Sequence, residues 1–132
     1  MAIKELRKSP MMAHLLDALD AGEDIGHYGR LTVAMVGHHY LDAEELLKTL
    51  AKGKGVDDTE LKSLVQQTVT RDYNPPSRQR ILEWQAQQEF AICPDPGDPN
   101  ACNVYRDLDL PETVIENIEE FREQQFDAAT GS

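Results

Sequence analysis

The chain has 132 residues, 40% hydrophobic and 28% charged. That length suits one ordinary domain of the ~100–200-residue class, and the composition is able to bury a core. The formal net charge of -11 weighs against direct binding of nucleic acid or of an anionic membrane surface. No apolar run approaches the ~20 residues of a membrane helix, the longest being Leu31 to Val36 with Thr32 inside it. Lys4, Glu5, Arg7 and Lys8 replace the apolar stretch of a secretory signal, so the expected location is cytoplasmic.

Ser9-Pro10 predicts a helix start, a capping residue followed by proline at the first helical position. Met12, Leu15, Leu16 and Leu19 follow at helical spacing, and Gly22 is a natural stop. A second helix is expected from about His27 to Tyr40. Its Leu31 to Val36 stretch is apolar on nearly every side, which predicts a central place in a bundle. Gly29 and Gly37 are expected to let neighbouring helices approach closely. Asp42 with Glu45, and Asp57 with Glu60, are capping boxes that open the third and fourth helices. Leu46, Leu47 and Leu50 give the third its buried stripe, and Leu61, Leu64, Val65, Thr68 and Val69 make the fourth amphipathic. Asn74-Pro75-Pro76 ends the fourth and opens a fifth, running to about Glu89 with Ile81, Leu82 and Trp84 inward.

The expected fold is therefore all-α. Residues 1–90 form a compact bundle of about five helices. Residues 91–110 are a Cys- and Pro-rich loop, since Pro94, Pro96 and Pro99 bar a helix there. Residues 111–127 form an acidic helix with Val114, Ile115, Ile118 and Phe121 on one face. The last 42 residues hold 2 Lys/Arg against 10 Asp/Glu, a net of -8, so most of the acidity sits here. A protein partner bound there is expected to be basic, with Glu116, Glu119 and Glu120 among its contacts.

Cys93 and Cys102 are the only cysteines, nine positions apart, and three states are open to them. They can be free thiols, a reversible disulfide, or two ligands of a zinc or iron ion. The third needs a histidine, and His38 is the candidate. His27 and His38 lie eleven residues apart, about 16 Å along one helix. His38 and His39 on one helix would point about 100° apart and would not share an ion. His27, Tyr28 and Arg30 make a polar cluster at a helix start, a place that attracts anions and the position an enzyme site would take. Its plainer reading is Tyr28 packed on the bundle and Arg30 paired with Asp24 or Glu23. No Gly-x-Ser-x-Gly and no phosphate loop with its lysine is present, so a non-enzymatic role is favoured.

Cys93, eight residues, Cys102, then Asn103-Val104-Tyr105-Arg106-Asp107 resembles the C-terminal module of the small Calvin-cycle linker protein family. Members of that family clamp glyceraldehyde-3-phosphate dehydrogenase and phosphoribulokinase when their cysteines are oxidised. The resemblance implies Cys93 and Cys102 as a redox pair, and Tyr105 and Asp107 as partner contacts. It covers about 15 of the 132 residues, with Asn103 in place of a usual basic residue and Arg106 in place of a usual acid. The expected function is a small interaction or regulatory protein without catalysis or cofactor, possessing a redox-responsive loop. The alternative is a metal- or cofactor-binding protein using Cys93 and Cys102.

Overall fold

The structure, a computed structural model, describes residues 2–112 and 114. Seven helices and no strand lie among them: α1 (Ala2–Leu6), α2 (Pro10–Asp20), α3 (Gly26–Gly37), α4 (Ala43–Leu50), α5 (Asp58–Arg71), α6 (Arg78–Gln85) and α7 (Val104–Asp107). The all-α expectation holds. None of these helices is long and apolar enough to cross a membrane.

The helix starts form where short polar side chains satisfy the first free backbone N–H groups. Ser9 Oγ accepts from Met12 N at 3.2 Å, and Pro10 follows at the first helical position. Asp42 accepts from Glu45 N and Asp57 from Glu60 N, both at 2.8 Å. Ser77 accepts from Arg80 N at 3.2 Å. Each cap couples a local sequence signal to a fixed helix boundary.

Helix α3 packs against α2, α4, α5 and α6, the central place its apolar stretch predicts. Val33, Ala34 and Val36 are fully buried on it, facing a core that includes Met11, Met12, Leu15, Leu46, Leu50, Leu61 and Ile81. A Cβ on Gly37 would lie 3.0 Å from Leu46 Cδ1, so this glycine does admit α4 closely. Gly29 does not serve a neighbouring helix. Its crowding comes from Ile25, one turn earlier, whose Cβ lies 3.0 Å away.

Two boundaries differ from expectation. Helix α3 stops at Gly37, three residues short of Tyr40. Helix α6 stops at Gln85, short of Glu89, because the chain turns there and the Gln88 side chain folds back on the start of α3. Leu82 and Trp84 are only partly buried, while Ile81 is fully so. The single-turn helices α1 and α7 carry too few residues to show a period. Leu6 and Val104 nevertheless enter the core completely.

The segment after α6 joins the same core. Ile92, Cys93, Cys102, Val104, Leu108, Leu110 and Val114 all cluster with the residues of α2 to α6. Of the expected acidic helix, only its beginning is described, where Val114 N donates to Pro111 O at 3.0 Å. The rest of 111–127, including Glu116, Glu119 and Glu120, lies outside the described residues.

Candidate functional site

Cys93 and Cys102 are bonded to each other, with Cα atoms 5.7 Å apart. Both are buried, at 1% and 3% exposure, whereas every residue from Pro94 to Asn100 is exposed. The disulfide therefore closes a solvent-facing loop on two points fixed in the core. Three further groups shape it. Gln85 Oε1 accepts from Cys93 N at 2.8 Å. Asp98 accepts from Asn100 N at 2.9 Å and so makes a local turn. Arg78 Nη2 donates to the carbonyls of Pro96 and Asp98, at 2.9 and 3.1 Å.

Past the loop, Cys102 adopts a left-handed backbone with φ 63°, and Asn103 caps α7 by accepting from Tyr105 N at 3.1 Å. Tyr105 is half-buried, and its hydroxyl donates to the carbonyl of Pro75. One of the two residues expected at a partner is thus also an internal tether to the α5–α6 connection. Asp107 is half-buried at the end of α7.

The histidine expected to join the cysteines has other neighbours. His38 Nε2 lies 2.7 Å from the carbonyl of Tyr73, and its Nδ1 lies 3.8 Å from Asp72 Oδ1. His39 Nε2 lies 3.1 Å from the same Tyr73 carbonyl, with the two rings 3.9 Å apart at their centroids. The expected divergence of His38 and His39 does not occur. It assumed both on one helix, but α3 ends at Gly37 and His39 lies beyond the helical stretch. Burial pushes the His39 imidazole below its ordinary pKa, the neighbouring His38 adds to this, and the Tyr73 carbonyl opposes it.

At the start of α3, the plainer reading of the polar cluster holds. Arg30 Nη1 donates to Asp24 Oδ1 at 3.0 Å and to the Lys54 carbonyl at 3.3 Å, with its side chain only 9% exposed. Its charge is therefore already committed. The Gly26 N–H and then Arg30 hold the Asp24 carboxyl below its ordinary pKa. Tyr28 stacks on Trp84 with centroids 5.5 Å apart, and His27 meets the Tyr28 edge. His14 stacks on Phe90 and lies 2.8 Å from the Ala91 carbonyl through Nε2.

Sequence reasoning missed the brace from Arg78, which has no local signature. It also missed the meeting of His38, His39 and Asp72. The signal for that was Gly37, a residue that favours helix ends, directly before the two histidines. Compared with family models, with curated proteins and with solved structures, the chain matches none.

Proposed function

We propose that this chain is a small non-enzymatic interaction or regulatory protein whose partner surface is the loop 93–107, set by the redox state of Cys93 and Cys102. The observation that carries this reading is the disulfide between two buried cysteines across an exposed, proline-rich loop. Closing the bond passes two electrons and two protons from the thiols to a cellular disulfide of the glutathione class. The cytosol, whose thiol pool reverses that exchange, is the proposed compartment. Oxidation then fixes how residues 94–100, and Tyr105 and Asp107 after them, are presented. The net charge of -8 over the last 42 residues, with Glu116, Glu119 and Glu120, selects a basic protein partner. The short resemblance to the Calvin-cycle linker family supports the device, an oxidised Cys-x8-Cys loop used as a clamp.

The test is affinity capture from the native source with three baits: oxidised protein, reduced protein and Cys102→Ser. The oxidised bait retains a basic partner that the other two lose, and the retained partner dissociates with added salt as screening shortens to about 8 Å at 0.15 M. Equal capture by all three baits removes the redox role. Capture insensitive to Glu116→Lys, Glu119→Lys and Glu120→Lys together removes the acidic surface.

A further inference from the structure

We infer that His38, His39 and Asp72 form a binding site for one divalent transition-metal ion, zinc being the chemistry that fits best. One ligand atom from each residue lies within 4.8 Å of the other two. The three come from two chain segments that the core brings together: the end of α3 and the end of α5.

The tautomer argues for metal rather than for a polar contact alone. A carbonyl only accepts, so the two Nε2 atoms that approach Tyr73 O both carry hydrogen. In a neutral ring this leaves Nδ1 as a bare lone pair. Metal-bound histidines show this same division, with one nitrogen on the ion and the other N–H on a backbone carbonyl. The Tyr73 carbonyl thus does for two rings what is ordinarily done for one. With the ring neutral, His38 Nδ1 faces a carboxylate oxygen at 3.8 Å, acceptor against acceptor, an opposition that either a proton or a metal ion between them removes.

The distances suit a tetrahedral ion. Ligand atoms about 2.0–2.1 Å from zinc lie about 3.3 Å from each other, so separations of up to 4.8 Å need a closure of as much as about 1.5 Å. Asp72 can supply it, because its side chain is 79% exposed while that of His38 is 5% exposed. Two held imidazoles and one mobile carboxylate leave a fourth position open to water. Nitrogen with one carboxylate oxygen is zinc-like donor chemistry and unlike the all-oxygen sets of calcium or magnesium.

The backbone at Asp72 provides a clean test. This residue caps α5 in the left-handed region, φ 48° and ψ 55°, where glycine sits without penalty. Asp72→Gly therefore removes the ligand while relieving the backbone, and its metal-free melting temperature should equal or exceed that of the wild type. The full chain, with its disulfide intact, is titrated with zinc against a chromophoric chelator and with cobalt(II) for its visible bands. The wild type should bind one ion per chain and give the intense cobalt bands of a four-coordinate site. Asp72→Gly and His39→Gln should each weaken binding by at least about tenfold and lose those bands, while His14→Gln and His27→Gln bind as the wild type does. Wild-type protein with no stoichiometric ion would overturn the site. So would binding that survives both Asp72→Gly and His39→Gln, or binding that appears only after reduction and disappears in Cys102→Ser.

Discussion

Arg78, the first residue of α6, donates to the carbonyl oxygen of Pro96 at 2.9 Å, in the middle of the loop closed by the disulfide. The same Nη2 reaches the Asp98 carbonyl at 3.1 Å. Pro94, Pro96 and Pro99 narrow the conformations of this loop, and the guanidinium selects among those that remain. Loop shape is thereby coupled to the helix that Ser77 caps.

Arg78→Ala should free the loop without unfolding the bundle. Two bonds from a half-buried charged group are lost, so the stability cost should be about 1–2 kcal/mol. The local effect should be larger, with faster amide exchange and faster proteolytic cleavage between residues 94 and 101. Unchanged exchange there would show that the disulfide and the prolines alone set the loop.

Reducing the disulfide should cost more than removing the brace. A ring of this size restricts the unfolded chain by about 2–3 kcal/mol in the entropic account, and the prolines push the value to the low end. Because Cys93 and Cys102 sit in the shared core, reduction should lower the melting temperature by about 6 °C at unchanged helical circular dichroism. Cys102→Ser should melt like the reduced protein, somewhat lower because its hydroxyl is buried. A coincident melt in both redox states would mean that the bond contributes nothing beyond loop geometry.

Much of the bundle is legible in the sequence because its signals are local. Ser9-Pro10, Asp42 with Glu45, and Asp57 with Glu60 each place a cap and its N–H partner within three residues. The end of α3 is hidden in the sequence because His38, His39 and Tyr40 continue a plausible period, and the Tyr73 carbonyl that both rings meet lies 35 and 34 residues away. The site is less legible. Two cysteines at this spacing are compatible with free thiols, a bond or a metal, and the spacing does not say that both are buried side by side. Arg78 and Tyr105 act on backbone carbonyls of Pro96 and Pro75, and a carbonyl has no residue type to recognise.

Gln88 is a further residue of that kind. It looks like one more polar residue near a helix end, yet its amide joins three segments. Its Nε2 donates to Ile25 O at 2.8 Å and to Phe90 O at 3.0 Å, and its Oε1 accepts from Tyr28 N at 3.0 Å. Gln88→Ala should leave part-buried backbone groups unpaired, at a cost of about 2–3 kcal/mol. Gln88→Glu should do little better, since a carboxylate accepts from Tyr28 but does not donate to the two carbonyls. Chemical denaturation checks this, and a loss below about 0.5 kcal/mol for both variants would mean that water replaces the amide.

Tyr40 ties the far end of the loop segment back to the chain that follows α3, its hydroxyl donating to the Asp109 carbonyl at 2.6 Å. Tyr40→Phe removes that bond and keeps the ring, so it should cost about 1 kcal/mol and about 3 °C in melting temperature. The effect should depend on pH in a definite direction. Burial raises the pKa of Tyr40, and the carboxylates of Asp109 and Glu5 raise it further. The folded protein therefore holds the phenolic proton more tightly than the unfolded chain, whose tyrosines titrate near 10. Stability from Tyr40 is fully present below about pH 10 and is lost as the pH rises through the higher folded value. The gap in stability between wild type and Tyr40→Phe should accordingly be constant from pH 7 to about 9.5 and shrink above it. A gap that widens with alkali would mean that the phenolate is the better-accommodated form, contrary to the burial and the two carboxylates around it.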